Sequence, residues 1–375
     1  MSLVLTEEQV AVQDAAKKLI RAQSPLTELR RLRDEKNPTG YCVDLWQRMI
    51  ELGWPGIIIP ETFGGLGLTA NYLSVILEEC GRTLTPSPVW SSGLFASYLI
   101  VNSNTSELQR ETLTALAAGT RTVAVALEEK ARHAPFDIKT TLSGTSQMKL
   151  NGRKHFVVNG HVADALVVTA RSDEGALQLV LVNTAQSGVT VERNQMVDSH
   201  NSATITFNDV SIEPQQVLCS SNAEALLQAG LDVARLGLSA EMLGTASEAF
   251  DRTLAYLKER EQFGAIIGSF QALKHRAAIM FVELELARSA VREGFSVLNS
   301  NEVNTTKLAR LASIAKMQLC QTLHLISNEA VQLHGGIGMT DEHEIGFFLK
   351  RARVLEQLLG DDVYHIDRYA SLSGY

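Results

Sequence analysis

Two short segments carry residue types that could hold a phosphate-bearing ligand. The first is Arg260-Glu261-Gln262-Phe263-Gly264, continuing to Ser269-Phe270-Gln271. It reads as the end of one long helix and the start of another, joined by a glycine-containing loop. An arginine can fork two hydrogen bonds onto a phosphate, and a helix N-terminus adds partial positive charge, so this turn could grip a pyrophosphate. The same arginine also suits a solvated place at a helix C-terminus, where cations are favoured. The second segment is Gln332-Leu333-His334-Gly335-Gly336-Ile337-Gly338-Met339-Thr340, directly after a strongly periodic helix. Glycines there let backbone N–H groups approach an anion closely. Glycine after a helix is also a stop signal, and His334 serves equally well as a capping or packing residue.

The elements that must position these segments follow from periodicity. Thr6-Glu7-Glu8-Gln9 has the form of a capping box, and Val12, Ala15, Ala16 and Leu19 then share one helical face. Gly53 to Leu68 is rich in Gly and Pro, which predicts a tightly turning buried loop, and a helix over Tyr72 to Gly81 follows. From Thr122 to Leu218 the runs TVAVAL, QMKL, KHFVV, ALVVTA, LQLVLV, VTVE and ATITF read as strands, with hairpin turns expected at Asn151-Gly152 and Asn159-Gly160. No helical crossovers lie between them, which favours a barrel or sandwich over a parallel sheet. After Ser220 the helical period returns. Leu273, Ala277, Met280, Leu284 and Ala287 keep a 4-3-4-3 spacing, as do Leu319, Leu323, Ile326, Ala330 and Leu333, and such stripes predict an antiparallel bundle. The fold class is α+β multidomain: an N-terminal helical domain over 1–120, a middle β-barrel or sandwich domain over 121–219, and a C-terminal four-helix bundle domain over 220–375.

Composition narrows the function classes. A chain of 375 residues that is 45% hydrophobic can bury large cores. A net charge of -8, with no long Lys/Arg run, argues against nucleic acid as a partner. No apolar run approaches the roughly 20 residues that span a bilayer, and the acidic start MSLVLTEEQV is unlike a signal peptide, so a cytoplasmic location is expected. Cys42, Cys80, Cys219 and Cys320 lie far apart without clustered histidines, so neither a metal site nor a disulfide framework is signalled.

Five segments in order resemble the acyl-CoA dehydrogenase family: the LTEEQ helix, the PETFGGLGLT loop, NGRKHFVVNG with ADALVVTARSD, YLKEREQFGAIIGSFQALKH, and QLHGGIGMTDEHEIGFFLKRAR. The resemblance covers essentially the whole chain. It implies FAD at a subunit interface, an acyl-CoA substrate lying across the flavin, an electron-accepting flavoprotein as partner, and a homo- or hetero-oligomer built as a dimer of dimers. By the same resemblance Arg260, Gln262, Phe263 and Gln271 reach the FAD of a neighbouring subunit, Gln332, Gly335 and Gly336 cradle its adenine-side phosphates, and Val158 is the β-domain contact. The two gripping elements are expected to come from different protomers. The implied reaction is α,β-desaturation: a carboxylate of raised pKa removes the α proton while the β hydrogen leaves as hydride to flavin.

The family's proton-abstracting residue does not map onto a carboxylate here. Its commonest position, a Glu before Gly-Thr, falls on Leu359 in Glu356-Gln357-Leu358-Leu359-Gly360-Asp361-Asp362, and its alternative position, before an Arg, falls on Ala234. Two nearby carboxylates are candidates. Asp361 lies two residues beyond the usual position, and could instead cap the last helix. Glu241 lies two helical turns beyond Ala234, and could instead pair with a buried cation such as Arg235 or Arg276. The flavin-side hydroxyls are also missing, since Leu127-Glu128-Glu129-Lys130-Ala131-Arg132-His133 and Phe156-Val157-Val158-Asn159 stand in their segments. These losses resemble one half of the heteromeric bacterial members, in which a base-deficient subunit serves a complete partner. An offshoot acting on a non-CoA substrate such as a nitroalkane is the other expectation.

Overall fold

The computed structural model describes residues 4–104, 106–145, 147–300 and 303–375. Helices come first: α1 (Glu7–Gln23), α2 (Leu26–Asp34), α3 (Val43–Glu51), α4 (Ala70–Arg82), α5 (Ser97–Val101) and α6 (Glu107–Ala117). The strands β1 (Val123–Ala126), β2 (Thr141–Ser143), β3 (Met148–Val158), β4 (Ala165–Ser172), β5 (Leu177–Asn183), β6 (Val189–Gln195), β7 (Asn201–Ile212) and β8 (Val217–Cys219) follow. Then come α7 (Ala223–Glu259), a hairpin of β9 (Glu261–Gln262) and β10 (Ala265–Ile266), α8 (Gln271–Leu298), α9 (Thr305–His334), α10 (Ile345–Gln357) and α11 (Asp362–Leu372). Two compact units form, one from Met1–Arg31, Ser74–Thr85 and Arg235–Tyr375, the other from Leu32–Leu73 and Pro86–Ala234. Among the described residues, no helix is long and apolar enough to cross a membrane.

In the first unit, α9 packs against α8, α10 and α11. Its stripe Leu319, Leu323, Ile326, Ala330 and Leu333 is buried, as are Met280, Leu284 and Ala287 of α8, so the apolar spacing is what sets the packing faces. Leu273 and Ala277, near the start of α8, stay half-buried. The capping box on α1 forms: Thr6 Oγ1 accepts from Gln9 N–H and the Gln9 side chain accepts from Thr6 N–H. Helices α4 and α7 approach until main chain meets main chain. A Cβ on Gly81 would collide with the carbonyl of Glu241, and one on Gly244 with that of Glu78.

In the second unit the sheet runs β6-β7-β3-β2-β4-β5-β8, with β1 also on β4. Antiparallel pairs dominate, in keeping with the short connections. Strand β4 nevertheless has two parallel neighbours, β1 along Ala165 to Val168 and β2 along Arg171 and Ser172, which share one of its edges in tandem. Leu150, Val157, Leu166, Val168, Ile205 and Phe207 form the centre of its core. The two Asn-Gly pairs behave differently. Asn159 adopts φ +57° in the turn after β3, as expected. Asn151-Gly152 does not reverse the chain: QMKL and KHFVV join into the single strand β3, whose pairing with β7 is irregular at Gly152. A Cβ there would run into the Thr140 side chain, so this glycine serves a bulge and a close approach rather than a hairpin.

Candidate cofactor site

Helix α7 ends on a turn in which Arg260 N–H donates to Tyr256 O (2.9 Å) and Ile267 N–H donates to Arg260 O (2.8 Å). Between them β9 and β10 pair Gln262 with Ala265, leaving Phe263 and Gly264 as the two turn residues, with φ +55° and +72°. Positive φ at both central positions is the type I′ arrangement that matches strand twist. Phenylalanine is a poor occupant of that conformation, which costs of order 1 kcal/mol or more. Its ring is also 94% exposed, touching Phe270 edge-on at 6.3 Å. Strain and exposure together are what a ligand-facing aromatic shows. Arg260, Gln262 and Gln271 are exposed beside it. Helix α8 starts at Gln271 without a side-chain cap, so its N-terminal partial charge is directed at solvent.

The glycine turn lies at the C-terminus of α9. Gly335 N–H caps the helix by donating to Gln332 O, and Gly335 sits at φ +66°, ψ -144°, a conformation open to glycine alone. Space lies open around Gly335 and Gly336: a Cβ added at either would meet nothing within 4 Å. Gly338 is the opposite, with its Cβ position 2.7 Å from Val331 O. Gln332, Gly335 and Gly336 are exposed, while His334 between them is 3% exposed. Its Nδ1–H donates to Ala330 O (2.6 Å), and its ring stacks on Tyr256 of α7 with centroids 4.4 Å apart and 27° between planes. His343 lies on the same cluster, 4.7 Å from His334. Burial, first of all, lowers the pKa of both histidines, so both stay neutral near pH 7.

The stack ties the two turns together. The arginine turn and the glycine turn are joined within one chain, because Tyr256 lies one helical turn before Arg260 and His334 directly precedes Gly335. Within this chain they stand on one platform, held by the ring stack. An uncapped helix start, an exposed arginine and an open glycine cradle are the donor set a dinucleotide diphosphate requires, so these residues fit FAD at that end.

The β-domain segment fits less well. Val158 ends β3, half-buried and paired with Ser202. Phe156 has φ +53° at the irregular step between Lys154 and Val157, and is 44% exposed. Asn159 is used structurally, donating to Ser87 O (3.0 Å) and Ser91 Oγ (2.9 Å). The loop after β1 is closed on itself. Buried Lys154 donates to Glu129 Oε1 (2.6 Å), Thr169 Oγ1 (2.8 Å) and Leu127 O (3.3 Å), and Glu129 also accepts from the N–H groups of Lys139 and Thr140. Glu128 holds His133 and Ala134 N–H in the same way. Burial pushes Lys154 down to about 8 against the pull of Glu129. For Glu129 burial works upward, and the cation with its hydrogen bonds brings the pKa below the usual carboxylate range. No hydroxyl stands in place of Leu127.

Leu359 is 4% exposed and takes φ +59° in the turn between α10 and α11. Its carbonyl accepts from His365 Nε2–H (3.0 Å) and Arg235 Nε (3.4 Å), while Lys316 Nζ donates to Gly360 O (2.8 Å) and Glu356 O (3.2 Å). Burial, then Arg235 and Lys316, force His365 down to about 2. Burial likewise lowers Lys316. Asp361 is the N-cap of α11, accepting from Tyr364 N–H (2.8 Å). Glu241, 7% exposed, is ion-paired with Arg351 of α10. That corrects its expected partners, since Arg235 reaches Leu359 and Arg276 pairs with Glu329. Sequence reasoning missed Lys316, His365 and Tyr256. A signal existed for Lys316, which stands on the buried stripe of α9, three residues before Leu319.

Comparison with known proteins follows the same outline. Family models described as the N-terminal, middle and C-terminal domains of acyl-CoA dehydrogenase match residues 6–120, 124–210 and 225–371. Acyl-CoA dehydrogenase IpdE2 of Mycolicibacterium smegmatis is 32% identical over 86% of this chain and 85% of its own length. Among solved structures, a variant of the Tcur3481-Tcur3483 steroid ACAD is 29% identical with a TM-score of 0.87, covering 98% of both chains. The ChsE4-ChsE5 complex from Mycobacterium tuberculosis, 22% identical with a TM-score of 0.90 over the full length of both chains, shares the fold. The chain therefore belongs to the acyl-CoA dehydrogenase family of FAD-dependent oxidoreductases.

Proposed function

We propose that this chain is the base-deficient subunit of a two-component acyl-CoA dehydrogenase, working as three domains over 1–120, 121–219 and 220–375. In this reading it lends Arg260, Gln262, Phe263, Gln271, Gln332, Gly335 and Gly336 to FAD whose flavin-side pocket belongs to a related partner subunit. The observation that carries it is the Leu359 turn. A leucine stands where the family's carboxylate belongs, its carbonyl is gripped by Arg235 and His365, and the two nearby acids are engaged, Asp361 as a helix cap and Glu241 with Arg351. A general base needs a lone pair within reach of the substrate proton and a pKa near the working pH, and a capping or ion-paired carboxylate is held away from that task.

When bound, FAD supplies the hydride acceptor for desaturation of an acyl-CoA thioester. This chain's part is to bind and orient: Arg260 and the α8 N-terminus neutralise the diphosphate, and the main chain at Gly335 and Gly336 approaches it without a Cβ in the way. Val158 and its neighbours offer the flavin little, since Lys154, Glu128 and Glu129 tie the adjoining loop to itself. The 29% match to the Tcur3481-Tcur3483 steroid ACAD supports the reading and makes a steroid-derived acyl-CoA the first substrate to assay. An electron-accepting flavoprotein completes the set of partners.

The test is an absorbance spectrum of the purified chain alone and co-purified with its partner subunit. Acyl-CoA-dependent bleaching of the flavin is expected only in the assembly. Bleaching by the chain alone, abolished by Asp361→Asn, would overturn the reading and make Asp361 the base.

A further inference from the structure

We infer that Tyr256 and His334 are positioning residues for the dinucleotide, a ring pair that sets the spacing between the arginine turn and the glycine turn. The inference rests on the cofactor reading above and extends it to two side chains that offer no charge to the ligand. Tyr256 is in the last turn of α7, and its own carbonyl receives the N–H of Arg260. His334 is the last residue of α9, and Gly335 follows it at a positive φ. The only freedom left to the imidazole is rotation about its side-chain bonds, and the hydrogen bond from Nδ1–H to Ala330 O removes that by tying the ring to its own helix.

The rings then stack at 4.4 Å, and His343 closes the far side of the cluster, 4.7 Å from His334 and 6.5 Å from Tyr256. A Cβ on Gly338 would approach His334 Cβ to 3.0 Å, so the glycine turn wraps closely around the same side chain. The stack is therefore a spacer with one end on each ligand-gripping turn. A diphosphate held from two sides is sensitive to such a spacing, because charged hydrogen bonds weaken steeply with misalignment. Burial keeps both histidines neutral, so the stack is not split by like charge at neutral pH.

The experiment measures FAD affinity by flavin fluorescence on the assembled, deflavinated complex, with the melting temperature of the same FAD-free complex as a control for folding. Tyr256→Phe keeps the ring and should bind FAD within twofold of the parent. His334→Asn can keep a donor to Ala330 O but loses the ring, and Tyr256→Leu keeps bulk without a π face; each should weaken FAD by tenfold or more with little change in melting temperature. Binding within twofold in both His334→Asn and Tyr256→Leu would overturn the inference. A loss in affinity matched by an equal loss in Tyr256→Phe, or by a collapse of the FAD-free melting temperature, would overturn it also, since the rings would then be serving general stability. Arg260→Ala separates the two levels. If it too leaves FAD binding unchanged, the cofactor reading fails; if it alone weakens binding, only the spacer role fails.

Discussion

Two turns in the same unit are built from similar parts and finished in opposite ways. The α7–α8 turn and its glycine neighbour expose an arginine, an uncapped helix start, a strained phenylalanine and two glycines facing open space. The α10–α11 turn also carries a positive-φ residue and a glycine, yet Leu359 and Gly360 have their carbonyls occupied by Arg235, His365 and Lys316. The first turn leaves donors unspent and strain unrelieved, which is the condition for meeting a ligand. The second has its partners already, which is the condition for holding a shape. A ligand site is legible in what the protein itself has not satisfied.

The comparison can be broken from the sealed side first. Glu241→Ala takes a buried carboxylate partner from the Arg351 guanidinium, and removing one partner of such a pair costs about 3–5 kcal/mol; urea unfolding should show that loss. A stability change below about 1 kcal/mol, with loss of turnover in the assembly, would return Glu241 to the catalytic candidates.

The next test is pH. His365 is buried and neutral in the folded state with a pKa of about 2, against an ordinary value near 6.5 once unfolded. The unfolded chain therefore takes up a proton below pH 6.5 that the folded chain refuses. Stability due to this group is full above pH 6.5 and falls as pH drops, by at most about 1.4 kcal/mol per unit. Unfolding curves between pH 7 and 4 should have this slope, and His365→Gln should flatten it. Burial also lowers His161, to about 4, which adds in the same direction.

On the open side, Arg260→Ala should leave folding alone and weaken FAD binding by about 1.5–3 kcal/mol, the range for a charged hydrogen bond. Equal FAD affinity in the variant would erase the contrast between the turns. The smallest effect belongs to Asp361→Asn. Asparagine caps a helix about as well as aspartate, so stability should move by only a few tenths of a kcal/mol, and assembly turnover should persist. A large loss of turnover at unchanged stability would identify Asp361 as a base.

Much of the molecule could be read from local pattern. Thr6 announced its capping box, the α9 stripe announced its buried face, and Asn159 announced its turn, because each depends on neighbours within a few residues. Gly152 departs from the hairpin expectation because its reason lies in Thr140, just before β2 and distant from local pattern. Arg351 was not foreseen as the partner of Glu241 because 110 residues separate them. Arg260 and the glycines stood out by residue type, whereas the ring pair that joins them depends on which ends of α7 and α9 come together, and no periodicity specifies that. The resemblance to a family supplied the chemistry; the structure supplied which acids are engaged.

Gly81 and Gly244 bring the peptide planes of α4 and α7 into contact with no side chain in between. Side chains at a helix crossing can change rotamer and absorb a displacement, but carbonyls and amide planes cannot. The crossing therefore leaves little room for α4 to shift against α7, the long helix that Arg260 directly follows.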